Sequence, residues 1–133
     1  MNSKQVKQFA SECGADIVGI ASMDRFEGAP KQMDPRYIFP DARAMIVMGF
    51  RILRGSLRGI EEGTFYIAYA GMGYAGINHV LMPMVLWKFC HWIEHNRYEA
   101  VPLPNHCPWS NNNVSGQHPS KAAESRPGWS KPV

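Results

Sequence analysis

Three tyrosines and an asparagine near the middle of the chain, Tyr66, Tyr69, Tyr74 and Asn78, are the residues best suited to a cofactor face. A tyrosine ring packs flat on a planar ligand, and its hydroxyl can bond an amide side chain. The alternative is an ordinary aromatic core whose hydroxyls reach the surface. Further on, His91 and His95 lie four apart on a helical pattern and so share a face, which is half of a zinc site. Glu94 adjoins them, and His106 and Cys107 are the donors that could join in space. Against a metal stand the missing H-E-x-x-H pattern and the favourable field that any helix C-terminus offers a histidine. No metal site is therefore expected, and His91 and His95 remain its only candidates. His79, on an otherwise apolar helix, reads as a hydrogen-bonded core or cofactor-facing residue.

Two glycine-containing stretches imitate phosphate sites. Arg51, Arg54 and Arg58 with Gly55 and Gly59 offer charge and backbone N–H groups together, but they match no P-loop, and Glu61 and Glu62 follow directly. A solvated loop is the expectation. Gly71-Met72-Gly73-Tyr74-Ala75-Gly76 has the spacing G-x-G-x-x-G, yet it follows an aromatic segment and not a clear strand. It reads as a close-packing device. Of the three cysteines, Cys13 and Cys90 read as small buried hydrophobes and Cys107 as the most exposed. Their odd number and wide spacing argue against a disulfide framework, and against an iron–sulfur cluster held by this chain alone.

These residues must be positioned by few elements. Asn2 or Ser3 can cap a first helix with Val6, Phe9, Ala10 and Cys13 on one face, closed by Gly14. Residues 15–21 read as a short apolar strand, and 22–26 as a single turn. Residues 44–50 are apolar on both alternating faces, the pattern of a strand covered on two sides. The longest helical pattern runs from about Ile77 to Asn96, with Pro83 kinking it or marking its first turn. Residues 98–103 read as a third strand with Pro102 at its end. From Pro104 onward, proline, asparagine and serine dominate and periodicity is lost, yet Trp109 and Trp129 suggest a segment that wraps a surface.

A chain of 133 residues, 45% hydrophobic and 19% charged, is enough for one domain with a core, and a net charge of +3 does not by itself point to nucleic acid or a membrane. Neither a secretory signal nor an uninterrupted apolar span is evident, so a cytoplasmic location is expected.

The order of segments carries a resemblance. A helix leads to a strand ending Val18-Gly19-Ile20-Ala21. Arg25-Phe26-Glu27-Gly28-Ala29-Pro30 and Phe39-Pro40-Asp41-Ala42-Arg43 follow, then the strand Met45-Ile46-Val47-Met48-Gly49. Tyr69, Gly71, Tyr74 and Asn78 lead into the long helix, and Glu94, Tyr98, Glu99, Ala100 and Pro102 follow it. Over roughly residues 5 to 105 this resembles the N-terminal part of the epoxyqueuosine reductase and reductive dehalogenase superfamily, corrinoid-dependent oxidoreductases that also hold two [4Fe–4S] clusters. Arg97 departs from the pattern, standing where the family usually has a glycine before the tyrosine.

The resemblance implies an α/β fold: a small three-layer unit with a short sheet (15–21, 44–50, 98–103) and one long covering helix, as residues 1–103, followed by a wrapping tail, 104–133. It implies cobalamin as cofactor, with Tyr69 and Tyr74 near it. The cluster-binding cysteine motifs and the proton donor of such enzymes are not in this sequence, so no catalytic residue is assigned and the chain alone should be inactive. The competing expectation is a non-catalytic assembly module that dimerises or pairs with another polypeptide, without independent nucleic-acid binding.

Overall fold

The computed structural model describes residues 1–30 and 33–103. The expected tail, 104–133, lies outside the described residues. The fold is a small mixed α/β one with a two-stranded antiparallel sheet. Two compact units are present among the described residues, the first formed by Met1–Gly19 with residues 48–103, the second by Ile20–Val47.

In the first unit, helix α1 (Ser3–Cys13) starts with a capping box: the Asn2 side chain accepts from the Gln5 N–H, and the Gln5 side chain accepts from the Asn2 N–H, both at 2.9 Å. It ends where Gly14 adopts a left-handed φ of 118°, and the Ala15 N–H returns to the Ala10 carbonyl at 3.1 Å. A Cβ on Gly14 would also press on Val85 at 3.3 Å, so glycine serves both the turn and the packing. The face expected to be buried is buried at Val6 and Ala10.

Strands β1 (Ile17–Ser22) and β2 (Ala44–Gly49) pair. At the end belonging to the first unit, the Asp16 N–H donates to the Gly49 carbonyl at 3.0 Å, and the Asp16 carboxylate accepts from the Arg51 N–H at 2.8 Å. Two expectations fail here. Strand β2 is not covered on both faces: none of its residues is buried and Val47 is half-exposed. Nor do residues 98–103 form a third strand, so among the described residues the sheet has two. An apolar run alone does not supply the neighbouring strand whose hydrogen bonds it needs, and Pro102 contributes no donor.

A tight turn Arg54–Leu57 and the single-turn helix α2 (Arg58–Glu61) lead to the long helix. Helical geometry begins at Ile67, earlier than the sequence suggested. Residues Tyr69–Leu81 are π-helical, and α3 (Met82–His95) continues without a break. A π-helix is usually a single turn, so thirteen residues is a long one. Pro83 explains where it stops. Without an N–H it cannot continue the π ladder, and it falls in the first turn of α3, where the hydrogen-bond pattern changes. The expectation that Pro83 marks a first turn is the one realised.

Helix α3 packs chiefly on α1 and on the π-helical segment. Val85, Phe89, Cys90 and Ile93 are its buried stripe. Phe9 of α1 stacks on Trp92 at 4.4 Å between ring centroids and lies 6.4 Å from Phe89. The helix closes at Asn96, whose side-chain amide donates to the Trp92 carbonyl at 2.8 Å. Arg97 follows with φ 64°, and the Tyr98 N–H returns to the Ile93 carbonyl at 3.2 Å. A left-handed residue with a Cβ costs about 1–2 kcal/mol. Arg97→Gly should therefore raise stability by about 1 kcal/mol, read as a higher urea midpoint at unchanged slope.

In the second unit, the turns Met23–Phe26 and Pro35–Tyr37 pack together, and Met23 is buried. Asp34 caps the second turn by accepting from the Arg36 backbone N–H at 2.9 Å and pairs with its guanidinium at 2.7 Å. Hydrogen bonds from Arg36 hold the Asp34 carboxyl below its ordinary pKa.

Candidate functional site

The four cofactor-face candidates fall at or in the π-helical segment. Tyr69, Tyr74 and Asn78 lie inside it and Tyr66 just before it. Five-residue spacing stacks side chains along a π-helix. It sets Tyr69, Tyr74 and His79 in one row, and Tyr74 meets His79 edge-on at 6.1 Å. It sets Gly73 and Asn78 in the neighbouring row, and both are buried.

The tyrosines do not share one environment. Tyr69 is half-buried and lies over Gly73: a Cβ there would come within 2.8 Å of the Tyr69 ring, and within 3.3 Å of Ile52 and of the Ser56 hydroxyl. Ser56 is itself buried, its hydroxyl donating to the Leu53 carbonyl at 2.6 Å. Gly73 is thus the close-packing point between the Arg54–Leu57 turn and the π-helix. The close-packing role expected of this glycine-rich stretch is met at that position, whereas Gly71 faces open space. Tyr66 and Tyr74 are more than half exposed. Each of those two rings offers exposed apolar surface, and Tyr69 covers the backbone at Gly73. Asn78 is buried, and its amide suits holding the segment's geometry more than touching a ligand directly. Exposed rings backed by a buried amide are the chemistry that would line one side of a flat ligand.

His91 and His95 are both exposed on α3. His91 stacks on Trp87 at 5.5 Å with a 19° interplanar angle. Both histidines border a shallow groove between α1 and α3, with Cys13 and Lys88 nearby. No three His, Cys, Asp or Glu side chains among the described residues come together as a metal site. His106 and Cys107, the donors that could complete one, lie outside the described residues. This groove was not anticipated. Its signal was the pair Phe9 and Cys13 on α1 facing Lys88 and Trp92 on α3, visible only once the helices are paired.

The remaining groups are occupied structurally. Arg54 pairs with Glu61 at 2.8 Å, and Arg58 lies 3.8 Å and 3.9 Å from Glu61 and Glu62. All four side chains are well exposed, and such pairs contribute about 0–1 kcal/mol. Burial pushes the Cys90 thiol above its ordinary pKa, with Glu94 adding to the rise. Burial raises Cys13 too, opposed by the positive charge of Lys88. Neither is an activated thiolate. No helix among the described residues is long and apolar enough to cross a membrane.

No protein-family profile, curated protein or solved structure matches the chain.

Proposed function

We propose that this chain is the N-terminal, non-catalytic part of a corrinoid- and iron–sulfur-dependent reductase of the kind it resembles, contributing one wall of the corrinoid site. One observation carries the reading: Tyr69, Tyr74 and Asn78, singled out by the resemblance, all belong to one long π-helical segment. Departures from α-helix of this kind recur at functional sites. The turn at Arg97 adds support. The family's usual glycine stands at a position that is left-handed here, where glycine carries no Cβ penalty.

When bound, a corrinoid supplies a low-potential cobalt centre for reduction. On this reading Tyr66 and Tyr74 offer their ring faces to the macrocycle, and Tyr69 over Gly73 keeps the segment rigid. No residue of this chain is assigned a proton-transfer role, and [4Fe–4S] clusters would be held by other cysteines than these three. The chain alone should show no turnover with an artificial electron donor.

The test is the ultraviolet–visible spectrum and metal content of the chain purified without oxygen and supplied with cobalamin. About one cobalt per chain, without iron, is expected. Tyr74→Ala should weaken that binding about tenfold while leaving the far-ultraviolet dichroism unchanged. Absence of cobalt in a folded chain would sink the corrinoid reading. The assembly-module reading would then lead, favoured by the apolar outer face of the long helix.

A further inference from the structure

From Phe65 to Trp87 the sequence carries no Asp, Glu, Lys or Arg. Much of this stretch is nevertheless on the surface. Met72, Val80, Leu81, Met84 and Trp87 are 62%, 57%, 40%, 55% and 68% exposed. Scattered apolar residues on a surface need no explanation, but a continuous patch does.

Val80, Leu81, Met84 and Trp87 form one face. Gly71, Gly76 and Leu81 follow one another at the π interval, and a Cβ on Gly76 would sit 3.1 Å from the Gly71 carbonyl directly behind it. Val80, Met84, Trp87 and His91 follow at the α interval, and all are exposed. The face is therefore flat and small at its N-terminal end and bulky at its C-terminal end, with Val80 between. The charged and titratable residues Lys88, His91, Glu94 and His95 gather beyond the bulky end.

We propose that this face docks a second copy of the same chain, antiparallel, with the two-fold axis at Val80. A self-complementary surface is what an isologous interface needs. Rotation about Val80 sets Met84 of each copy against Gly76 of the other, and Trp87 against Gly71. The lengths agree. Val80 to Trp87 spans about 10 Å of α-helix. A π-helix advances less per residue, so the longer interval Gly71–Val80 covers a similar distance. Glycines let the facing backbone come close enough for a large ring to seat. The charged cluster of each copy passes beyond the other copy's apolar face, so like charges do not meet. The area approaches the low end for a specific interface: the four side chains expose on the order of 450 Å² and the exposed His91 ring beside Trp87 extends the face, against about 600 Å² per partner at that end. The exposed glycine backbone adds to it. This inference does not depend on corrinoid binding.

Sedimentation equilibrium of the full chain decides it. Wild type should be a dimer at about 100 µM. Val80→Arg and Val80→Asp should each be monomers with unchanged helical dichroism, because the axis sets each charge against its own copy. Mixing the two variants should restore a dimer, since only an axis at Val80 pairs position 80 with itself. A monomeric wild type would overturn the proposal and leave the face to a different polypeptide. A dimer that survives Val80→Arg, or variants that fail to pair on mixing, would overturn the axis and with it the proposed docking.

Discussion

Phe89→Ala should cost about 3–5 kcal/mol and leave the chain only marginally stable at 25 °C. Phe89 is 3% exposed and sits where α1 meets α3, with its ring 6.4 Å from Phe9 and 6.1 Å from Trp92. Removing it deletes a large buried apolar group and leaves a cavity, because its neighbours are themselves rings on two rigid helices. Among the described residues the buried hydrophobic set is short, with Val6, Ala10, Val85, Cys90 and Ile93 its other members on the same two helices. Against the ~5–15 kcal/mol typical of domains, one lost ring is a large share of the total. Near-ultraviolet dichroism and a urea titration measure it. Glu94→Ala, exposed on the same helix, is the control and should stay within about 0.5 kcal/mol of wild type. A loss below about 1 kcal/mol for Phe89→Ala would mean that α1 is not packed on α3 through this ring.

The helices were legible because local signals and packing agree. Asn2, one of two caps the sequence offered, caps α1, Gly14 ends it, and the apolar face between them meets α3. The strands were half-legible. Residues 17–22 and 44–49 are extended as expected, because β-branched and apolar residues favour it. Their surroundings were not legible. Apolarity on both faces of 44–49 suggested cover from two sides, and 98–103 suggested a third strand. Both inferences depend on partners that strand periodicity does not specify. The long helix was found but begun too late, because glycines at 71, 73 and 76 argue against helix by propensity. Those glycines sit in a π-helix, whose five-residue rows do not match the period used to search for a helix.

The same mismatch governs the candidate site. Tyr69, Tyr74 and Asn78 were chosen as a set, yet π spacing divides them. Tyr69 and Tyr74 share a row with His79, while Asn78 lies behind Gly73 in the interior. Tyr69 is further set apart by covering Gly73, a close contact no sequence pattern reveals. His91 and His95 do share a face, as four-residue spacing on an α-helix requires. What could not be read was that His91 would be stacked on Trp87, a residue that a covered helix would have buried.

Gly59→Ala should destabilise by about 3 kcal/mol, at the upper end of what over-packing costs. The glycine lies in α2, and the chain folds straight back over it. The Thr64 and Phe65 N–H groups both donate to the Gly59 carbonyl, at 2.9 Å and 3.2 Å. A Cβ would therefore run into the Phe65 backbone carbonyl. A clashing side chain could rotate away, but this backbone is held by those two hydrogen bonds and can move only by breaking them. The segment it would carry along, residues 64–68, leads directly into the π-helix, so Tyr66 and Tyr69 would shift with it. Gly55→Ala is the informative contrast: its Cβ would meet nothing within 4 Å, and there alanine should be neutral or slightly stabilising. Thermal unfolding of the two variants gives the energies, and amide exchange at Thr64 and Phe65 gives the location. Equal melting temperatures for the two would show that the close approach at Gly59 is not a constraint. A selective loss of protection at 64 and 65 in Gly59→Ala would tie the geometry of the tyrosine face to this one bare backbone position.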